Sequence, residues 1–470
     1  MLLQQYYLGC LAHASYLIAD EVTGTAVVVD PQRDIDQYLT DAETHRLHIR
    51  YVFLTHFHAD FLAGHLELHA RTGATICLGA QAQADYAFTP FHHGETLRFG
   101  QVQLTVLETP GHTPEAISIV VYDLAQNASR PYAVLTGDTL FIGDVGRPDL
   151  MASCEVSAAE LAGMLYDSLH DKLLLLPDET LVYPAHGAGS LCGKNLSSDT
   201  CSPLGVQRRM NAALQPMSKT AFVALVTANQ PEVPAYFAYA ADLNRRQRLT
   251  LTQVLESTPT PLTSAQVVGL IHADAQVVDT RQPSVYATRH LPGSLNIGLH
   301  GQYALWAGTV LDHRRPIVLI TEPGQESEAT LRLGRIGFDR VAGYLAGGMD
   351  ALAACPDLTR QTERMTPLTL AAALASADPP LLLDVRTPQE RHTRYIAKSQ
   401  HIPLQRLQHQ IHDLPRGAKM VVYCAGGYRS SLAVGLLEQH GITPLADLDG
   451  GMTAWADAGL ETLSPAVELA

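Results

Sequence analysis

The sequence predicts an α/β multidomain protein: a first half of mixed sheets with covering helices, then two copies of one smaller α/β unit. Three observations carry this. Over the first ~250 residues, short apolar runs alternate with turn signals: SYLIA, TAVVVD, YVFLT, ATICLG, ISIVVY, YAVLT and TLVYP. Each is rich in Val, Ile, Tyr or Thr and bounded by Gly, Asp or Pro, the composition of strands. Helical patterns lie between them, at 61–72 and 157–170, and 207–253 reads as mostly helical. Finally, the chain repeats itself. VVDTRQPSVYATRHLPGSLNI (277–297) echoes LLDVRTPQERHTRYIAKSQHI (382–402), and YLAGGMDAL (344–352) echoes DLDGGMTAW (447–455), at an offset close to 104 residues. Pro/Ser/Thr-rich LESTPTPLTS (255–264) reads as a linker, and a second falls near 357–366. The expected domains are therefore 1–254, 260–356 and 364–470.

Composition sets limits on function. With 470 residues, 46% hydrophobic and 17% charged, the chain can bury ordinary cores. Lys and Arg number 32 against 47 Asp and Glu, a net charge of −15, which argues against nucleic acid or an anionic membrane as partner. Seven dispersed cysteines without a C-x-x-C read as reduced thiols. The N-terminal stretch has no basic start and no unbroken apolar run, so no signal peptide is expected. No window approaches the ~18 apolar residues of a membrane span. A cytoplasmic location is the expectation.

The strongest chemical signal is Thr55-His56-Phe57-His58-Ala59-Asp60, placed where the apolar run Tyr51–Leu54 opens into a loop. Alternation puts His56 and His58 on one side of an extended backbone. Imidazole and carboxylate groups so close together suit a metal. Pro110-Gly111-His112-Thr113, Thr136-Gly137-Asp138-Thr139 and Tyr183-Pro184-Ala185-His186-Gly187 repeat the device, each delivering a potential ligand from a strand end. Flanking Gly and Pro let the backbone approach closely. Ordinary surface histidines would not recur in this pattern.

In this order and spacing, H-x-H-x-D, P-G-H-T, G-D-T and P-A-H-G resemble the metallo-β-lactamase superfamily, especially its glyoxalase II and persulfide dioxygenase branches, over about residues 1–250. The resemblance implies an αββα sandwich with the metal at the sheet edges. Hydrolases of this superfamily usually carry H-x-H-x-D-H, whose last acid and histidine hold a second metal; here Phe61 follows Asp60. With one metal, His56, His112 and Asp138 form a 2-His-1-carboxylate face, the mark of non-heme Fe(II) oxygenases. The resemblance to persulfide dioxygenases implies one Fe(II) per chain on these three residues, with His58, Asp60 and His186 as a secondary metal shell. The G-R-x-D run that follows Asp138 looks like a persulfide dioxygenase signature. Arg147 is expected either to bind an anionic thiol substrate or to tie its loop to Asp149. The loop HGAGSLCGKNLSSDTCS (186–202) resembles that of persulfide dioxygenases fused to tandem rhodaneses, which implies Cys201 near the iron as a relay for sulfane sulfur, with Cys192 the weaker candidate. Cys10, Cys77, Cys154 and Cys355 read as small buried apolar residues.

The last repeat carries a second constellation. Buried strand Met420–Tyr423 is followed by Cys424-Ala425-Gly426-Gly427-Tyr428-Arg429-Ser430-Ser431 and a helical pattern. A thiol between strand and helix sees backbone N–H groups and the positive helix end, and both favour the reactive thiolate. Gly426 and Gly427 let the N–H groups converge, and Arg429 adds positive charge. With the Asp384-Val385-Arg386 strand end, this C-x-x-x-x-R-S loop resembles the rhodanese family. The resemblance implies that Cys424 carries a persulfide, bound by the loop amides, Ser430 and Arg429. A phosphatase loop usually has five residues between Cys and Arg; this one has four, which favours sulfur. In the middle repeat Ile320 stands at the nucleophile position and Gln325 at the Arg position, with Glu322 and Glu326 alongside. That unit is expected to fold, but not to transfer sulfur, and to serve as a spacer or docking domain.

The resemblance implies oxidation of a low-molecular-weight thiol persulfide (glutathione, coenzyme A or similar) by dioxygen to sulfite and thiol. This would be coupled to sulfur transfer that forms or uses thiosulfate, in sulfide detoxification. Dimers and tetramers are common in the family, so a homo-oligomer is expected. Two other readings stay open: a glyoxalase II-like zinc thioester hydrolase with an accessory rhodanese, and a non-catalytic sulfur-relay or sensing protein acting through Cys424.

Overall fold

The structure, a computed structural model, describes residues 1–150, 156–256 and 260–464. Cys154, residues 257–259 of the first linker and residues 465–470 of the last domain lie outside the described residues. The chain divides into two compact units, Met1–Val254 with Gly334–Gly337, and Leu255–Leu333 with Phe338–Ala470.

The first unit holds two six-stranded sheets. One contains β1 (Leu2–Leu8), β2 (His13–Asp20), β3 (Thr25–Val29), β4 (His48–Phe53), β5 (Thr75–Gly79) and β6 (Thr89–Phe91), in that order. The other contains β7 (Thr96–Phe99), β8 (Val102–Glu108), β9 (Ile117–Asp123), β10 (Ala133–Gly137), β11 (Leu181–Pro184) and β12 (Ser202–Pro203), again in sequence order. Strand alternation explains how they meet. Tyr16, Ile18, Val27, Val29 and Phe53 of the first sheet share one buried cluster with Leu104, Val106, Ile119, Val121 and Leu135 of the second. The opposite face of the second sheet, through Val120, Val134 and Val182, packs on Leu165 and Leu169 of the helix Ala158–Asp171. That helix starts on a capping box between Ser157 and Glu160. The helix His65–Thr72 packs against β4 and β5 through buried Leu66 and Leu68. The layering is αββα.

Each apolar run named above overlaps a strand, and β1, a half-exposed edge, was not legible as one. The helix expected from residue 61 begins at His65. The reason is local: Ala63 bridges to Gln32, and Gly64 sits so close to the Gln32 carbonyl that a Cβ there would lie 2.1 Å from it.

The second unit contains two five-stranded parallel sheets. The middle repeat contributes β13 (Pro261–Leu262), β14 (Gln276–Asp279), β15 (Leu295–Asn296), β16 (Ile317–Ile320) and β17 (Val341–Leu345), in the order β13-β17-β16-β14-β15. The last repeat contributes β18 (Glu363–Met365), β19 (Leu381–Asp384), β20 (Gln400–His401), β21 (Met420–Tyr423) and β22 (Leu445–Leu448), in the order β18-β22-β21-β19-β20. The two orders correspond strand for strand, as duplication requires.

The repeats form one unit because the helix Tyr428–Gln439 of the last packs on β15 of the middle. Ser431 Oγ donates to Asn296 Oδ1 at 2.6 Å, and the Tyr428 hydroxyl donates to the Gly298 carbonyl at 2.8 Å. Glu438 accepts from the Gly293 N–H at 3.1 Å. Gly435 touches the middle repeat so closely that a Cβ would lie 2.3 Å from the Ser294 carbonyl oxygen.

This contact gives a prediction with a definite sign. A Gly→Ala change inside an unconstrained helix stabilises by about 0.5–1 kcal/mol. Gly435→Ala instead overpacks the repeat interface and is expected to cost about 1–3 kcal/mol. Calorimetry should show the second unit melting roughly 2–10 °C lower; a higher midpoint would show that the contact yields.

Candidate metal centre and sulfur-transfer loop

His56, His58 and Asp60 follow β4, His112 follows β8, Asp138 follows β10 and His186 follows β11. All six side chains are buried. His56, His112 and Asp138 bring ligand atoms within 4.8 Å of one another, and so do His58, Asp60 and His186. Asp138 Oδ2 lies 3.8 Å from His56 Nε2 and 3.3 Å from His112 Nε2, and has no hydrogen-bond partner.

The hydrogen bonds around these residues assign the tautomers. His112 Nδ1 donates to the Arg147 carbonyl at 2.8 Å, leaving the Nε2 lone pair free. His56 Nδ1 lies 3.0 Å from Thr55 Oγ1, which spends its own proton on Asp30 Oδ2 at 2.9 Å. Burial holds both imidazoles below their ordinary range, and for His56 the neighbouring His58 adds to it. Both are thus neutral ligands at pH 7. Burial pushes Asp138 up, but the neighbouring imidazoles, the charged His186 foremost, outweigh it and keep the carboxylate ionised. An orphaned buried carboxylate oxygen facing two free imidazole nitrogens fits a divalent metal ion.

The second cluster is in a different state. His186 bridges two carboxylates, Nδ1 at 2.7 Å from Asp138 and Nε2 at 2.9 Å from Asp60. Burial works against its charge, but the two carboxylates prevail and hold it protonated. It becomes a ligand only by losing that proton. Phe61 packs its ring 4.4 Å from that of His58 and 4.0 Å from that of His13.

In the second unit, Cys424 is buried and its Sγ accepts from the Gly427 N–H at 3.1 Å. Gly427 has φ of +99°, a conformation that favours glycine. The loop is pinned from the Gly-Gly turn, where Met452 N–H donates to the Cys424 carbonyl at 2.8 Å. A Cβ on Gly451 would lie 2.5 Å from that carbonyl, so glycine is required. Arg429 makes a two-pronged pair with Glu390 at 2.6 and 2.7 Å. Burial pushes Glu390 up, but Arg429 brings it down to about 2.

Comparison with known proteins agrees with this geometry. Residues 8–186 match the metallo-beta-lactamase superfamily, and 263–355 and 366–458 each match the rhodanese-like domain. The chain is 30% identical over 189 residues to the mitochondrial persulfide dioxygenase ETHE1 of Homo sapiens, covering 40% of this chain and 68% of that one. A metallo-beta-lactamase from Staphylococcus aureus subsp. aureus COL, known from a crystal structure, is 30% identical, spans 73% of this chain and 98% of its own, and has a TM-score of 0.66. The chain belongs to the metallo-beta-lactamase superfamily. Another superfamily relative is a cytoplasmic hydroxyacylglutathione hydrolase of Arabidopsis thaliana, 34% identical over 184 residues, 38% of this chain and 66% of that one. The persulfide dioxygenase relatives and rhodanese-like domains mark an enzyme of sulfur metabolism, and the superfamily fold with its His/Asp clusters implies a metal. Among the described residues, no helix is long and apolar enough to cross a membrane.

Several expected site residues stand elsewhere. The Arg147 guanidinium is buried and spends its donors on Asp149 (2.6 and 2.7 Å) and the carbonyls of Leu191 and Pro231. Of the two roles expected for it, these contacts are those of the loop tie to Asp149, and its carbonyl accepts from His112 Nδ1. Cys201 is exposed, beside Tyr183. The loop turns back before reaching it, because Ser202–Pro203 pairs with β11 at the sheet edge. Buried Cys192 takes the inner place, with its thiol within 4.8 Å of ligand atoms of Asp138 and His186. Its carbonyl accepts from the Arg147 N–H at 2.9 Å, which anchors that turn. Gly426 is exposed, with nothing near a Cβ placed there, so only Gly427 is conformationally required.

Sequence reasoning missed Asp30, Thr55 and His13. His13 is fully buried with both ring nitrogens unpartnered. A histidine outside any motif gives no signal. Thr55→Val keeps shape but removes the Asp30–Thr55–His56 connection, and is expected to weaken metal affinity about 10–100-fold. Competition against a chelator, with bound metal measured by mass spectrometry, would sink this if the two proteins lost metal together.

Proposed function

We propose that this chain is a persulfide dioxygenase that uses one Fe(II) on His56, His112 and Asp138. The observation that carries the reading is that two-histidine, one-carboxylate face, together with Phe61 where hydrolases of the superfamily hold a second metal with histidine. Iron held there supplies the one-electron chemistry that dioxygen needs to react. The protein's own groups do the rest. Asp30 through Thr55, and the Arg147 carbonyl, keep Nε2 of His56 and His112 as unprotonated donors. Overall, a thiol persulfide R–S–S–H, dioxygen and water give R–S–H and sulfurous acid, which ionises to sulfite. The outer sulfur is oxidised and dioxygen reduced. The carrier is a low-molecular-weight thiol such as glutathione or coenzyme A.

Cys424 then carries sulfane sulfur: its persulfide loses the outer sulfur to sulfite, forming thiosulfate and the Cys424 thiolate, or the reaction runs in reverse. Support comes from the Gly427 N–H on the sulfur and from the rhodanese-like match over 366–458. The role fits sulfide detoxification. A second reading, a zinc thioester hydrolase, is favoured by the compact His58, Asp60 and His186 cluster and the hydroxyacylglutathione hydrolase relative.

Metal analysis of anaerobically purified protein, with oxygen uptake on glutathione persulfide, separates them. About one iron per chain, with uptake and sulfite release, is expected. About two zinc ions with hydroxyacylglutathione hydrolysis and no uptake would overturn the dioxygenase. Cys424→Ser is expected to keep oxygen uptake and to lower thiosulfate formation at least 100-fold; retained thiosulfate formation would remove Cys424 from the role.

A further inference from the structure

Behind the Cys424 loop lies a buried acid that the proposed function does not use. Asp447 on β22 is 3% exposed, and one of its carboxylate oxygens has no hydrogen-bond partner. The Ser430 side chain lies beside its carboxylate and favours the ionised form. The hydroxyl of that side chain, itself fully buried, lies 3.5 Å from Cys424 Sγ. Thiol, hydroxyl and carboxyl thus stand in one dry file. Arg364 of β18 faces the acid with Nε at 3.7 Å, but commits Nη2 to Asp449. Burial, only partly offset by Ser430 and Arg364, and reinforced by Asp449, pushes Asp447 up to about 7, where it exchanges a proton at neutral pH.

The duplication supplies an internal comparison. With the strands matched by their pairing, Thr321 and Tyr344 of the middle repeat stand at the positions of Cys424 and Asp447. Both are replaced. The Asp384–Arg386 pair, by contrast, recurs as Asp279–Arg281 with the same 2.7 Å contact. A group needed only for folding would have been kept in both.

We propose that Asp447 is a positioning residue and proton acceptor for the Cys424 thiol, acting through Ser430. The S–H proton passes to Ser430 Oγ as the Ser430 proton passes to the Asp447 carboxylate. Cys424 becomes a thiolate and Asp447 a neutral acid, with no electrons exchanged. The thiolate then attacks the outer sulfur of R–S–S–H; a new S–S bond forms on Cys424, the old one breaks, and R–S⁻ leaves to be protonated by water. The inference rests on Cys424 as the sulfur carrier.

The test is iodoacetamide alkylation of the full chain between about pH 5 and 9, with Cys424 followed by peptide mass spectrometry. Asp447→Asn keeps the shape and removes the proton acceptor. Alkylation at pH 7 is expected to slow about tenfold, with the rise of the profile moved about one unit alkaline. Ser430→Ala should match it, the double variant should lose no more, and Ser430→Thr should restore the rate. A profile for Asp447→Asn that superposes on the unaltered protein, or losses that multiply, would overturn the relay. If melting shows that Asp447→Asn does not fold, the Ser430→Ala and Ser430→Thr pair decides, and equal losses in both overturn it. Sulfur loading of unaltered Cys424 by glutathione persulfide is read in the same spectra. Absent loading alongside an intact Asp447 dependence would overturn the carrier reading and leave the relay standing.

Discussion

The first unit turns on the Asp138 carboxylate. It is buried at the end of β10 and faces three imidazoles, those of His56, His112 and His186. Removing one carboxylate from water costs several kcal/mol unless its partners are in place. The large apolar side chains of the sandwich, at about 1.5–3 kcal/mol each, make that cost bearable. They also dictate where the cluster forms. Strands stacked into two sheets leave their ends as the one place where polar loops from both can converge, and glycine lets them touch. A Cβ on Gly137 would lie 2.5 Å from Thr55 Oγ1, and one on Gly146 would lie 1.9 Å from the Asp138 carbonyl.

The two halves of the sandwich divide the work. The first sheet supplies His56 and the groups that hold it, Asp30 after β3 and Thr55 after β4. The second supplies His112, Asp138 and the Arg147 carbonyl. Neither sheet alone carries the three-residue face. Opposite protonation states then separate the two clusters. Neutral His56 and His112 present lone pairs, whereas His186 is held as a cation between Asp60 and Asp138. Filling the second cluster with a metal requires proton release, and filling the first does not.

Much of this was legible in the sequence because it lives in short patterns. Buried strands are apolar runs, ligands sit in H-x-H-x-D and its companions, and duplication shows as self-similarity. What was not legible depends on how loops turn. Cys192 and Cys201 share one 17-residue loop, and only the pairing of Ser202–Pro203 with β11 decides which thiol faces inward. For Arg147 the sequence leaves two roles open, an anion site or a tie to Asp149, and only the contacts with Asp149 and two carbonyls decide between them. Asp30 and Thr55 act at one remove from the ligand, so their roles are invisible to spacing. Three expected domains and two compact units differ for a similar reason. A helix buried on every side needs a neighbour, and the sequence does not say which.

That helix explains why a chemically empty repeat belongs in the second unit. Residues Ser430 through Leu437 are buried without a break, too many for packing on one sheet face. β15 of the middle repeat covers the remainder, with Asn296 and the Gly298 carbonyl taking the hydroxyls of Ser431 and Tyr428. The N–H that contacts the Cys424 sulfur belongs to Gly427, the residue on which the helix begins. Anything that fixes the helix therefore fixes the donor. Ile320 pairs with Asp279 as Tyr423 pairs with Asp384, so Thr321, and not the expected Ile320, stands in the middle repeat where the thiol stands in the last. What the middle repeat contributes here is mechanical: it holds the start of its neighbour's helix in place.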